Sequence, residues 1–184
     1  NCNSLLVSHQ VTIEGIHYRS VILNFASGIT SNVIIDGAPN VTLKNLEIQT
    51  GGDNSIGVSI YGTSTGYSLD GIYVQHPVTA SVGAYGVYLN ANSAAMEGEI
   101  KNSEFYRSYY PVYADGAYQN KRVVIKDNKF DTTTYGVYDA GSSTGWMVSG
   151  NHLTGFSKLG LHTKSDGIAI TDNVFEISGN WDTF

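Results

Sequence analysis

Three carboxylates and one column of rings are the parts of this 184-residue chain best suited to chemistry. Tyr88, Tyr113, Tyr138 and His162 occupy the same place in four short strands of Gly-Val-Tyr type, with Ser59 one repeat earlier. Asn90, Asp115 and Lys164 follow two places on, and Asp139 falls one place short of them. If these strands stack at about 4.8 Å, the rings form one aromatic stripe. Sugar rings could lie along it, with Tyr88, Tyr113, Tyr138, His162, Asn90 and Lys164 as the substrate contacts. Tyr is equally a good exposed strand residue whose rings stack on one another or on a neighbouring subunit, and both readings stand. Asp115 and Asp139 on adjacent rungs would fit the separation of about 5–5.5 Å used in retaining glycoside hydrolysis, where proximity raises one pKa to make the acid. Both also precede Gly-Ala or Ala-Gly and suit turns, and alternation points Asp139 inward unless its strand has ended. Glu104, outward on a different strand, is the third catalytic candidate.

The elements that must position these residues are read from an internal repeat. Ile125-Lys-Asp-Asn-Lys-Phe130, Val148-Ser-Gly-Asn-His-Leu153 and Ile170-Thr-Asp-Asn-Val-Phe175 share one pattern of strand, tight bend and strand. Their bends at Asp127, Gly150 and Asp172 recur at the period of a solenoid. The same pattern places earlier corners at Gly15, Asn45, Gly71 and Asn102, so about seven coils are expected. With the Gly-Val-Tyr strand included, each coil holds three short strands, which gives an all-β parallel β-helix.

The columns of this repeat predict its interior. Ile13, Leu43, Leu69, Ile100, Ile125, Val148 and Ile170 stack inward before the corner; Tyr18, Ile48, Val74, Phe105, Phe130, Leu153 and Phe175 stack after it. Val58, Val87, Val112, Val137 and Leu161 line the third strand. Asn128, Asn151 and Asn173, in register beside the corner, predict an asparagine ladder. The longer spacings between early corners predict loops at Thr50 to Ser55, Thr63 to Gly66, His76 to Ala84 and Asn90 to Glu97.

Composition narrows the function. A chain 41% hydrophobic and 14% charged is a globular one, and 21 Gly with 13 Tyr suit strands and tight turns. A net charge of −6 with ten scattered basic residues argues against a nucleic acid partner. The lone Cys2 excludes an intrachain disulfide framework, and without an apolar run near 18 residues no membrane insertion is expected. His17 has no second His or Cys at ligand spacing, so no metal or other cofactor is expected. The chain opens at Asn1-Cys-Asn on a repeat and stops at Trp181-Asp-Thr-Phe184 just after one. A single β-helix domain spanning residues 1–184, cut from a longer chain or forming part of an oligomer, is the expectation.

The order of strand, Asn corner, strand, loop and strand from about Val11 to Ile177 resembles the right-handed parallel β-helix of the pectate lyase-like superfamily. That superfamily includes pectinases, alginate-modifying enzymes and phage tailspikes. The resemblance implies that the Gly-Val-Tyr strand lines the substrate groove. It carries over no catalytic residue, because the acidic calcium cluster with its Arg base and the polygalacturonase motifs are absent. It implies a tailspike-like segment, homotrimeric and in a virion tail or otherwise extracellular, that binds and in some members depolymerises a bacterial surface polysaccharide. A secreted lyase, hydrolase or epimerase of the same superfamily is the alternative, and a purely structural shaft is the third reading.

Overall fold

The computed structural model describes residues 3–77, 82–90, 96–115, 120–141 and 143–176. Among them there is no helix, and hence none long and apolar enough to cross a membrane. The chain coils through three parallel seven-stranded sheets. The first sheet holds Leu5–Val7, Ser31–Asp36, Ile56–Tyr61, Tyr85–Asn90, Tyr110–Ala114, Tyr135–Asp139 and Leu159–His162, in chain order across the sheet. The second runs from Thr12–Glu14 to Ala169–Thr171, and the third from Val21–Asn24 to Val174–Glu176. Seven rungs at about 4.8 Å make a stack roughly 30 Å long. The seven expected coils and three strands per coil are present.

Parallel pairing sets like residues on like. Ile13, Leu43, Leu69, Ile100, Ile125, Val148 and Ile170 stack in register as expected. On the third sheet the column is Leu23, Ile48, Val74, Phe105, Phe130, Leu153 and Phe175. The corner between these sheets needs a left-handed residue, and Asn45, Asn102, Asp127 and Asp172 supply it with φ of 50–56°. The asparagines that follow form the ladder. Asn128 Nδ2 donates to Asn151 Oδ1 at 3.0 Å, and Asn151 Nδ2 to Asn173 Oδ1 at 2.9 Å. Ser103 extends it: its N–H donates to Asn128 Oδ1, and its Oγ accepts from the N–H of Ile72. The amides of Asn128 and Asn151 are thereby satisfied along the axis, which is what lets them sit beside an apolar core.

Tyr18 is the correction to this plan. It is 47% exposed, and Leu23 takes the inward place assigned to it. Residues 16–20 leave the ladder after Gly15 and rejoin it at Val21, so the first corner carries a five-residue excursion. His17 lies in that excursion, and Ile22 occupies the outward column instead.

The loop from Thr50 to Ser55 connects the third sheet to the first, and Thr63 to Gly66 connects the first to the second. The other two predicted loops include residues 78–81 and 91–95, which lie outside the described residues.

Candidate functional site

The outer face of the first sheet is a surface of rings. The column expected from the sequence is in place, with Tyr88, Tyr113, Tyr138 and His162 in register. Tyr88 and Tyr113 stack at 5.6 Å and 11°, Tyr113 and Tyr138 at 5.7 Å and 8°, and Tyr138 and His162 at 4.3 Å and 9°. A second column, which sequence reasoning missed, runs beside it. Tyr85 stacks on Tyr110 at 5.4 Å, and Tyr110 on Tyr135 at 4.7 Å. The columns interlock edge to face, as with Tyr85 on Tyr113 at 5.1 Å and Tyr110 on Tyr138 at 5.2 Å. These are the offset-stacked and T-shaped geometries that ring quadrupoles favour.

The second column exists because the strand breaks alternation. In Tyr85-Gly86-Val87-Tyr88 the two tyrosines face out and both middle residues face in. A Cβ on Gly86 would approach the Phe105 ring to 2.5 Å, so only glycine lets the strand lie that close to the third sheet's large side chains. Gly136 meets Leu153 in the same way. The spacing Tyr-x-Val-Tyr, repeated at Tyr85, Tyr110 and Tyr135, was the available signal.

Ring stacking decides what the face offers. Tyr113 is covered on one side by Tyr88 and on the other by Tyr138. No sugar can stack on a ring face already taken, so what points outward is ring edges and phenol hydroxyls, repeated at rung spacing. Burial raises the pKa values of Tyr85, Tyr88, Tyr110 and Tyr113, with the charge of Asp115 adding to the effect at Tyr88, Tyr113 and Tyr85. The hydroxyls therefore stay neutral, able both to donate and to accept. Tyr88 donates to Asp115 Oδ2 at 2.5 Å, and Asn90 Nδ2 donates to the Tyr88 hydroxyl at 3.5 Å. Lys158 Nζ lies 5.5 Å from the Tyr135 ring centre and donates to the Tyr109 hydroxyl at 3.3 Å. His162 closes the column, and Lys164 is exposed just beyond it in the turn that follows.

The three candidate carboxylates occupy three separate places. Asp115 faces outward beside Tyr88. Asp139 pairs in register with Ala114 rather than Asp115 and is fully buried. It accepts from the Gly141 N–H at 3.2 Å, Ser143 Oγ at 2.8 Å, Thr163 Oγ1 at 3.3 Å, and Ser165 Oγ. Asp139 thus staples two coils at the corner and does not form a surface pair with Asp115. Glu104 lies on the third sheet, bound to Lys129 Nζ at 3.0 Å. A buried Ser108–His76 pair, Oγ to Nδ1 at 3.2 Å, has no surface access, and His76 Nε2 is spent on the Ser55 carbonyl at 2.8 Å. Among the described residues no group of three His, Cys, Asp or Glu is placed to hold a metal.

Residues 56–179 match the profile of the family described as the right handed beta helix region. This is more than half of the chain, and the chain belongs to that family. Its fold is similar to the crystal structure of a GH136 lacto-N-biosidase from Eubacterium ramulus, as a selenomethionine derivative. The TM-score is 0.56 at 12% identity, covering 94% of this chain and 48% of that one. The chain spans about half the length of that protein, and the likeness is one of fold. No curated protein matches the sequence.

Proposed function

We propose that this right-handed β-helix binds a polysaccharide along the tyrosine face of its first sheet, as a tailspike-like segment reading a bacterial surface glycan. The observation that carries the reading is the double column of stacked rings, whose neutral hydroxyls repeat along the axis beside Asn90 and Asp115. A polymer of hydroxyl-bearing rings needs many evenly spaced donors and acceptors. A coil lattice supplies them without side-chain rearrangement, because each ring is already fixed by its neighbours. The name of the similar lacto-N-biosidase lends support to a carbohydrate ligand. In this reading the assembly is a homotrimer in a virion tail or elsewhere outside the cell.

In this reading the face binds rather than cleaves. Hydrolysis by two carboxylates needs a partner for Asp115, and neither Asp139 nor Glu104 reaches it. A secreted polysaccharide-active enzyme of related fold is the second reading, favoured by the same similar structure. The two separate on one experiment, in which a panel of bacterial surface polysaccharides is tested for retention and for new chain ends. Retention without new ends, lost when Tyr113 and Tyr138 are both changed to Ala, is the expected result. New ends that disappear with Asp115→Asn would establish the second reading.

A further inference from the structure

The five-residue excursion at 16–20 lies over the outer face of the third sheet, away from the tyrosine face. Beneath it Glu47, Tyr73 and Glu104 form one outward column on three successive rungs. The Arg19 guanidinium sits 3.7 Å above the centre of the Tyr73 ring, and its Nε donates to Glu47 Oε2 at 2.8 Å. The Tyr18 hydroxyl reaches across to Glu104 Oε2 at 3.3 Å. Gln49 Nε2 donates to the other Glu47 oxygen at 2.6 Å, and Lys129 holds the other Glu104 oxygen at 3.0 Å. Glu47 is 4% exposed and Tyr73 6%, so a ring face and a carboxylate are held dry under a cation.

This arrangement is a guanidinium site with its ligand already bound. A planar cation stacked on an aromatic face while its N–H edge meets a carboxylate is the geometry that distinguishes arginine from lysine. The described contacts of the occupant's element with other coils are made by its side chains. The excursion's own backbone hydrogen bond, from the Ser20 N–H to the His17 carbonyl at 3.0 Å, is internal, and the described bonds to other coils resume with Val21. Arg19 is held at φ 58°, a left-handed conformation that is costly for a side chain of this size, and Ile16, at the start of the excursion, is 86% exposed. We propose that residues 16–20 are a self-occupying strap, and that the Glu47–Tyr73–Glu104 cradle accepts an arginine side chain of a protein partner when the strap is displaced. The strap's tethered guanidinium competes with any incoming one at an effective concentration on the order of millimolar, so it sets a threshold for the partner.

The site is independent of the tyrosine face and is tested without polysaccharide. N-acetyl-arginine amide is titrated into the wild-type chain, R19A and R19Q, with binding followed by chemical-shift changes and folding checked by thermal melting. Saturable binding to both variants, at least tenfold weaker to the wild type, is the expected result. It should vanish when Tyr73→Ala is added and should be several-fold weaker for N-acetyl-lysine amide. R19Q keeps the stem in the turn, so loss of folding in R19A alone leaves the test intact. If folded R19Q binds the probe no better than the wild type, the cradle is only an internal ion pair and the proposal falls.

Discussion

Tyr113 and Tyr73 both point outward from the same lattice of coils, and they meet opposite partners. Tyr113 is stacked between two tyrosines of its own column, on a face where Asp115 and Lys158 stand among many rings. Tyr73 lies between two glutamates and is covered by a guanidinium from a strap that crosses three rungs. The coil imposes the same rung spacing on both columns and does not decide which becomes a binding face. The residues in register decide it. A column of like rings closes its own faces and offers hydroxyl edges, whereas a lone ring between acids keeps its face open for a cation.

Phe130 is fully buried against Phe105 at 5.5 Å, so Phe130→Ala should cost about 3–5 kcal/mol in denaturant unfolding. Tyr113→Ala removes two stacked contacts from a half-buried ring and should cost about 1–3 kcal/mol. Lys126→Ala, on the outward column of the second sheet, should cost under about 0.5 kcal/mol. Equal losses for Phe130 and Tyr113 would mean that the tyrosine columns are core rather than surface.

Alkaline titration sharpens the contrast. Burial raises the folded pKa of Tyr85, Tyr88, Tyr110 and Tyr113 above the ordinary value of about 10. The unfolded chain therefore releases these protons first. Stability should be unaffected by them below about pH 10 and should fall as pH rises beyond it. Phenolate absorbance followed against pH should show these tyrosines ionising late, in step with unfolding. Early ionisation without unfolding would show that the rings are not packed as described.

Much of this was legible in the chain. The corner period, the inward columns, the asparagine ladder and the ring column at Tyr88, Tyr113, Tyr138 and His162 all follow from residues recurring at one place in each coil. Two features were hidden for physical reasons. Strict alternation turns Tyr85, Tyr110 and Tyr135 inward, whereas Gly86 against Phe105 and Gly136 against Leu153, with buried Pro111 at the same place between them, let two successive residues face in. The strap was hidden because a long first spacing does not say on which side of the corner its surplus falls. The offset between coils is 30 residues at Ile13 and Leu43 but 25 at Val21 and Leu46, which puts the surplus after Gly15. Asp139 lies inward, as alternation along its strand indicated, because it pairs in register with Ala114 rather than Asp115, and the hydroxyls of Ser143 and Ser165 hold its carboxylate there.

A polysaccharide on the proposed tyrosine face would be held by hydroxyl edges rather than ring faces. Replacing Tyr88, Tyr113 and Tyr138 together by Phe removes the hydroxyls and leaves the rings to stack. Binding of the retained polysaccharide should be measured for this triple variant by calorimetry, beside its thermal melt. A near-native melt with affinity reduced at least tenfold is the expected result. Undiminished affinity in a folded triple-Phe variant would contradict it.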